Sequence, residues 1–348
     1  MEIAVLPFAF YLLPLKIMQY VNDEDAPERK ITPEEYLEDQ KSRIRKRAFW
    51  GIGIGALLVV AHLGWLILFS AAGLHPDYSV LFRSIFFILG LLALAGGVWG
   101  WRYANNLKLE DLIPSPEAIE FARQSEISVP YFTYILVGLI VAVTFVQLNV
   151  GIDESADIAG FVKPDFWAKG EYWRILTGAT LHGGLAHIFF NGQALYGFGG
   201  LIEYLSNRAH LAIVFVLAII GGGLCSLFFM PDATSIGANG GIMGLIGYLA
   251  VYGYRRRQQL PPDFLKSMLI NVGFIAAFGL IAYQIVDNFA HIGGFVVGAI
   301  YGFLQIPRDL TKNPREAGAV VELLGYAAMI VFVFTCIFSI LLLLKVVQ

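Results

Sequence analysis

Nine stretches of this 348-residue chain, each of 16 to 30 residues, are largely apolar and almost free of charged side chains. A helix needs about 20 largely apolar residues to cross a bilayer, so each stretch predicts a membrane span. The chain is 57% hydrophobic and 15% charged, whereas soluble domains are nearer half apolar and a quarter charged. The sequence therefore predicts an all-α polytopic membrane protein. The predicted spans are Ala48–Ala72, Phe82–Trp101, Tyr131–Val150, Leu176–Leu205, Ala209–Met230, Asn239–Tyr254, Leu265–Val286, Asn288–Ile306 and Val320–Val347.

The basic residues predict the orientation of these spans. Lys and Arg concentrate in cytoplasmic loops, and here they recur at every other crossing, while the loop after Val150 is acidic. We therefore expect a multi-pass protein of a bacterial-type inner or plasma membrane, with the N-terminus cytoplasmic and the C-terminus outside. Arg83 is the one misfit. The residues that carry the pattern are Arg43, Arg45, Lys46, Arg47, Arg102, Lys108, Arg123, Arg208, Arg255, Arg256, Arg257, Arg308, Lys312 and Arg315.

The order of spans and polar stretches predicts five parts. These are an interfacial and cytoplasmic segment at 1–47, a two-helix hairpin at 48–102, a cytoplasmic connector at 103–130, a six-helix core at 131–307, and a linker with one extra span at 308–348. Met1–Lys16 lacks a basic start and a small-residue cleavage site, which favours an interfacial segment over a signal peptide. Thr32-Pro33-Glu34-Glu35 is a capping box and predicts a helix that runs toward Lys46. Ser115-Pro116-Glu117 predicts another helix start.

Several function classes are disfavoured by composition. A net charge of −3 argues against a nucleic-acid partner. The two cysteines, Cys225 and Cys336, lie inside apolar runs and predict neither a disulfide nor a metal site. A metal site built from His182, His187 and His291 is disfavoured because no His-Glu-x-x-His pattern and no convergent carboxylate accompany them. We expect no cofactor.

A few polar residues inside the spans are candidate functional residues, because such groups are costly in a membrane and often functional. His187 and Asn191 are four residues apart and share a helix face. His291 and Asn239 each lie near the outer end of another span, so all four are expected at similar depth. Glycines follow both of the latter residues at four-residue and three-residue spacing, which allows close helix approach in lipid. These glycines are Gly240, Gly244, Gly247, Gly294, Gly298 and Gly302.

The motifs around these residues resemble the rhomboid family of intramembrane serine proteases. Three motifs carry most of the resemblance: Gly237-Ala238 before position 239, Ala290-His291-Ile292-Gly293-Gly294, and His187 with Asn191. Their order and spacing make the set specific, although each alone is weak. The resemblance covers about Tyr131–Ile306. Further similar positions are Trp173-Arg174, Leu181-His182-Gly183-Gly184-Leu185, Phe198-Gly199 and Glu203.

The resemblance implies a six-helix core and a site with four roles. It places the nucleophile at position 239, the general base at His291, and oxyanion donors at His187 and Asn191. It implies cleavage of transmembrane substrates near the outer membrane face by a Ser-His dyad. It also implies that the loop Gly151–Tyr172 lies partly in the outer leaflet, where its aromatic residues are suited to the interface.

Two positions depart from the family pattern. The chain has Asn239 where the family has serine, and Met243 where an aromatic residue usually packs under the base. An amide nitrogen carries no proton that imidazole can usefully remove, so hydrolysis should fall on the order of 10⁶-fold, as for loss of any nucleophile. Ser235 lies four residues upstream in the outer loop and is not expected to substitute. Asp287 is expected to be a surface or cap residue.

Three functions remain open on the sequence alone. The first is a rhomboid-type protease scaffold, inactive or severely impaired, whose nucleophile was lost by drift or deliberate substitution. The second is a non-catalytic binder that captures or routes client transmembrane helices and stays inert when Ser is restored. The third is a transporter or channel, which the absence of a polar path and of broken repeated helices disfavours. The expected partners are a transmembrane substrate or client and the lipid bilayer.

Overall fold

The computed structural model describes residues 32–73, 84–109, 129–260, 264–282 and 286–347. The predicted interfacial segment at 1–16, the helix start at Ser115 and the misfit Arg83 lie outside the described residues. Within them the fold is almost entirely helical, which confirms the predicted all-α class. The nine long helices are α1 Pro33–Ala71, α2 Ile85–Asn106, α3 Tyr131–Val150, α7 Leu185–Leu205, α8 Arg208–Phe229, α9 Asn239–Arg255, α10 Phe264–Ile281, α11 Asn288–Gln305 and α12 Ala319–Leu343.

Six of these nine helices are long and apolar enough to cross a membrane by length and hydropathy: α1, α2, α3, α8, α10 and α12. The other three, α7, α9 and α11, contain several glycines and all four of the predicted site residues. Most residues of α9 are buried. A helix surrounded by other helices can carry polar residues that a lipid-facing helix cannot. The polar residue and the glycines of α9 are therefore in keeping with its place among other helices.

The described residues fall into two compact units. The first comprises described residues up to 109 together with Gly273–Val286. In it α1 and α2 pack against each other closely, because Gly97 leaves no room for a Cβ beside the carbonyl of Ala48. The capping box is confirmed, since Thr32 and Glu35 exchange both hydrogen bonds. The capped helix and the first predicted span form one continuous helix of 39 residues.

The second unit comprises described residues between 129 and 272 and residues 287–347. Helix α9 packs against α7, α8 and α11, and α12 packs against α3 and α8. Helices α9 and α11 both begin at one end of this unit, which we call the site end. The other end, where Arg255 and Gln305 lie, is called the opposite end. The five predicted parts of the chain remain a proposal about its organisation.

Short elements form the loop at the site end. They are α4 Ile152–Ala159, β1 Phe161–Val162, α5 Lys163–Ala168 and α6 Arg174–Thr177. Strand β1 pairs antiparallel with β2, Thr234–Ser235, in the register Phe161 opposite Ser235. Since β2 leads directly into α9, this pairing ties the loop to the segment that precedes Asn239.

One predicted span is wrong over its first nine residues. The span Leu176–Leu205 was expected to be one helix, but the chain forms α6, a 3-10 turn at Gly178–Thr180 and an extended stretch before α7 begins at Leu185. Gly184 has φ 119°, a conformation that glycine adopts readily and other residues avoid. The apolar content of these residues led to the prediction of one helix, but the chain turns here and the glycine pair at 183–184 precedes the actual start of α7. The other predicted spans agree with helices of the structure within about five residues at each described end, except that α1 begins fifteen residues before the predicted start at Ala48.

Candidate functional site

The side chains of His187 and Asn239 meet at the site end. Nε2 of His187 lies 3.3 Å from Oδ1 of Asn239. The backbone N–H of Gly183 donates to Nδ1 of the same ring at 3.1 Å. A neutral imidazole has one donor and one acceptor nitrogen. Because Nδ1 accepts, Nε2 carries the proton and donates it toward residue 239.

A glycine makes this contact sterically possible. Gly237 has φ 118°, a backbone conformation that strongly favours glycine. A Cβ at this position would lie 2.7 Å from Cε1 and 2.9 Å from Nε2 of His187. Any side chain at residue 237 would therefore push the imidazole away from Asn239.

Asn191 lies one turn along α7 from His187, as their four-residue spacing predicted. It is buried, and its Nδ2 has no hydrogen-bond partner among the described residues. A buried amide donor without a partner is unusual and costs roughly 1–3 kcal/mol. Helix α7 thus carries two side-chain N–H donors one turn apart, of which that of His187 is engaged by Asn239 and that of Asn191 is unengaged.

His291 lies on α11, which packs directly against α9. A Cβ at Gly294 would collide with the carbonyl of Gly240, and one at Gly298 with the carbonyl of Gly244. The two backbones are therefore in contact along the predicted glycine stripes, as expected for small residues at helix interfaces. Asn239 and His291 each lie next to a residue of this contact, because a Cβ at Gly240 would be 3.5 Å from the oxygen of Ala290. Among the described hydrogen bonds, none joins the side chains of Asn239 and His291.

His182 supports His187 from the side. Its ring lies 5.2 Å from the His187 ring in an edge-to-face arrangement. Gln147 holds its backbone through two hydrogen bonds of 2.9 Å each, one to the N–H and one to the carbonyl of His182. Thr144 contacts its Nδ1 at 3.3 Å. Its Nε2 is buried and has no partner among the described residues.

Arg174 organises the loop that covers this end. One guanidinium nitrogen donates to the carbonyls of Asp157 at 3.1 Å and Gly160 at 2.9 Å. The guanidinium also lies 4.7 Å from the centre of the Trp173 ring, a distance at which cation–π attraction operates. The Trp173-Arg174 pair thus closes α4 onto the start of α6.

Asp287 caps α11 one turn before His291. Its Oδ1 accepts from the N–H of Ala290 at 2.9 Å, which agrees with the prediction of a cap residue. The carboxylate is largely buried, and it also accepts hydrogen bonds from Ser226 and Ser235. Burial alone would raise the pKa of Asp287, but these hydrogen bonds and the nearby charge of Lys163 outweigh it and hold that pKa below its usual range.

Sequence reasoning missed Lys163 as a partner of this carboxylate. Its Nζ lies 2.9 Å from Oγ of Ser235 and 3.7 Å from Oδ2 of Asp287. Burial lowers the pKa of Lys163, while the charge of Asp287 opposes that effect. The three residues are far apart in the chain, so no local motif connects them. The only sequence signal was a lysine between apolar residues in a loop that is otherwise mostly acidic and apolar.

A small cavity of about 40 Å³ lies between the start of α9 and the start of α11. Ser235, Asn239 and Asp287 all line it. Its size suffices for a water molecule or two. Within the described residues, no group of three His, Cys, Asp or Glu side chains is arranged to hold a metal ion.

The part of the chain that carries these residues is similar to known proteins. Residues 169–308 match the family model described as Rhomboid domain. The chain is 31% identical over 176 residues to rhomboid protease GluP of Bacillus subtilis (strain 168), covering 49% of this chain and 34% of that protein. It is 31% identical over 170 residues to RHOMBOID-like protein 6, mitochondrial, of Arabidopsis thaliana, covering 44% and 53%.

A relative of a different kind is inactive rhomboid protein 1 of Rattus norvegicus. The chain is 29% identical to it over 162 residues, which covers 45% of this chain and 18% of that protein. The chain thus spans at most about half the length of these three relatives. The names of the relatives include both a protease and an inactive protein, and all four predicted site residues lie inside the matched domain.

Proposed function

We propose that residues 169–308, which match the family model described as Rhomboid domain, are the scaffold of an intramembrane serine endopeptidase of the rhomboid family. Asn239 occupies the position of its nucleophile, and His291 is the general base. His187 and Asn191 are the oxyanion donors. The protein as it stands is inactive or severely impaired in peptide hydrolysis.

One observation carries the proposal. The Nε2 proton of His187 is directed at residue 239 by the hydrogen bond that Gly183 makes to the opposite ring nitrogen. Donors prearranged around a reacting centre are what stabilises the oxyanion of acyl transfer. The amide oxygen of Asn239 occupies that donor in the present chain, so it stands where a substrate oxygen would be held.

A serine at position 239 would supply the missing step. Its Oγ would attack a substrate carbonyl carbon while His291 takes the hydroxyl proton. The oxyanion would accept hydrogen bonds from His187, from Nδ2 of Asn191 and from backbone N–H groups at the start of α9. His291 would then return the proton to the leaving amine, and water would release the acyl group. Asn239 cannot begin this sequence, because its amide nitrogen is delocalised.

The substrates are transmembrane segments cut near the outer membrane face. This part of the proposal follows from the orientation that the basic residues predict and from the position of the site near the ends of α9 and α11. Six helices with sufficient length and hydropathy support the membrane setting.

Cleavage of a transmembrane substrate in proteoliposomes tests the proposal. The chain as it stands, Asn239→Ser and Asn239→Ala would be compared at equal folded concentration. We expect cleavage by Asn239→Ser alone, exceeding Asn239→Ala by on the order of 10⁴-fold or more. Equal inactivity of both variants would overturn the proposed catalytic role of position 239.

A second function, capture of client helices without catalysis, is favoured by one specific contact. Asn239 already satisfies the His187 donor, which removes one unpaired polar group and is suited to a stable, unreactive site. A relative named as an inactive rhomboid is in keeping with this function. It predicts that Asn239→Ser retains a transmembrane client on co-purification yet does not cleave it.

A further inference from the structure

A buried ion pair lies beside the proposed site without belonging to its four residues. The side chain of Lys163 is 0% exposed and that of Asp287 is 16% exposed. Lys163 Nζ donates to Oγ of Ser235 at 2.9 Å, and Ser235 in turn donates to Oδ2 of Asp287 at 2.6 Å. The chain Lys163–Ser235–Asp287 is therefore continuous, and we call it the loop relay.

Three segments meet at the loop relay. Lys163 begins α5, directly after β1. Ser235 ends β2, four residues before Asn239. Asp287 caps α11, four residues before His291. The relay thus joins the covering loop to the starts of the two helices that carry the proposed nucleophile position and base.

The relay is not itself a second nucleophile and base. In a serine–lysine pair the lysine must be neutral to remove the hydroxyl proton. Here the hydroxyl of Ser235 donates to Asp287 rather than to Lys163, and the carboxylate at 3.7 Å favours the charged form of the lysine. The hydroxyl of Ser235 bridges the lysine and the carboxylate of this ion pair. It does not replace the serine that is missing at position 239.

The carboxylate of the relay lines the same cavity as residue 239, and Lys163 lies behind it. Ser235, Asn239 and Asp287 line the same cavity, and the carboxylate also acts electrostatically on His291. The other titratable groups here are His187, in contact with Asn239, and Cys225, next to the backbone of Gly293. Lys163 is the one described basic side chain in ion-pair contact with Asp287.

We propose that Lys163 is a positioning residue of the site: through Ser235 and Asp287 it fixes the starts of α9 and α11 and sets the charge that a nucleophile at position 239 experiences. The inference rests on the proposed function for its catalytic meaning. The positions and charges that it assigns to Lys163, Ser235 and Asp287 do not depend on whether the protein cleaves a substrate.

A thiol probe at position 239 tests this without proteolysis. In full-length Asn239→Cys protein with Cys225→Ala and Cys336→Ala, the rate of alkylation by iodoacetamide is measured against pH. Thiolate is the reactive form, so the profile reports the local charge. Adding Lys163→Met should move the profile to higher pH by roughly half a unit or more, and adding Asp287→Asn should move it to lower pH.

Opposite shifts distinguish a charge effect from damage to the fold, because disorder at the site would change both variants in the same direction. Asn can still cap α11, so Asp287→Asn keeps the helix start. Lys169→Met is the matched control, since Lys169 lies on the same loop but is 59% exposed and pairs with Asp165. It should leave the profile unchanged.

Two results separate this inference from the proposed function. If Asn239→Ser does not cleave but the thiol profiles shift in opposite directions, the proposed function fails and the positioning role stands. If the profiles of Lys163→Met and Lys169→Met coincide, or if Lys163→Met and Asp287→Asn shift the same way, the positioning role is wrong even if Asn239→Ser is active.

Discussion

The two ends of the second unit differ in whether their buried polar groups have hydrogen-bond partners. At the opposite end, Glu203 accepts two hydrogen bonds from Thr133 and one from the N–H of Phe132. Arg256 is 1% exposed and donates to four backbone carbonyls and to Gln259. Those carbonyls belong to Pro307, Asp309, Leu310 and Lys312. At the site end, buried nitrogens of His182 and Asn191 have no partner among the described residues.

The difference separates residues that hold the fold from residues that are available to a ligand. Buried polar groups are usually satisfied because leaving one unpaired costs stability. The network of Arg256 follows that rule and joins the loop before α12 to the end of α9. Arg255 is an exception at this end, since its Nε is unpaired. At the site end two unpaired nitrogens lie on residues next to the His187–Asn239 contact, which is where an incoming oxygen would use a donor.

The largest expected effect separates two histidines on different helices, His291 and His210. In an Asn239→Ser background, His291→Ala should abolish cleavage, with a loss on the order of 10⁴- to 10⁶-fold, because the proposed mechanism assigns removal of the serine proton to His291, whereas His187 donates its Nε2 proton toward residue 239. His210 is the matched control. Its Nδ1 contacts the hydroxyl of Tyr301 at 3.0 Å, so His210→Ala should lower stability and leave cleavage per folded molecule nearly unchanged. Equal losses of activity from His291→Ala and His210→Ala would show that the two histidines do not differ in catalytic role.

The next effect concerns the unpaired amide. In the same background Asn191→Ala should lower kcat by about 10²- to 10³-fold, as removal of one oxyanion donor does. Stability in detergent should not fall, because the folded state loses no hydrogen bond of that nitrogen. Asn149, whose amide donates to the carbonyl of Phe145 and is exposed, provides the control, and Asn149→Ala should leave kcat unchanged. A large loss of stability from Asn191→Ala would show that its amide is structural.

A third effect should appear in stability alone. Arg256→Met leaves several buried carbonyls without a donor and should lower the free energy of unfolding by about 3 kcal/mol. Arg257 follows it directly and is exposed, so Arg257→Met should change stability by no more than about 0.5 kcal/mol. Denaturation in mild detergent, followed by cleavage assays on the folded fraction of the Asn239→Ser form, measures both quantities. Lost activity in well-folded Arg256→Met would contradict the division between the two ends.

The smallest effect is one of pH. The pKa of Asp287 is lower in the folded protein than its usual value near 3.9. Its contribution to stability is therefore fully present above that value and is lost as the pH falls through the lower folded pKa. Asp287→Asn should flatten the acid limb of the stability profile, measured by thermal denaturation between about pH 2 and 5. An unchanged acid limb would mean that the carboxylate is not held by its partners.

Local patterns in the sequence were enough to predict the helices. Apolar length identified Tyr131–Val150 to the residue, and the glycine stripes correctly indicated that α9 and α11 approach closely. The helix break at 178–184 was missed because a window of apolar residues does not register backbone conformation. The position of Asn239 beside His187 could be inferred from spacing together with family resemblance.

The loop relay could not be inferred in the same way. Lys163, Ser235 and Asp287 come from three segments, and their association depends on the pairing of β1 with β2 and on the packing of α8 against α11. Nothing in the neighbourhood of any one of them indicates the other two. The roles of the four site residues stay predictions, which the experiments on Asn239→Ser test.

Covalent labelling of position 239 is the most direct test of whether a serine there would complete a working site. A fluorophosphonate reacts with a serine hydroxyl that a neighbouring base activates, and peptide mapping identifies the labelled residue. We expect labelling of Asn239→Ser at residue 239, loss of that label when His291→Ala is added, and no label on the chain as it stands. Folded Asn239→Ser that stays unlabelled, or a label on Ser235 in the unchanged chain, would contradict the claim that position 239 is the one missing element of a working site.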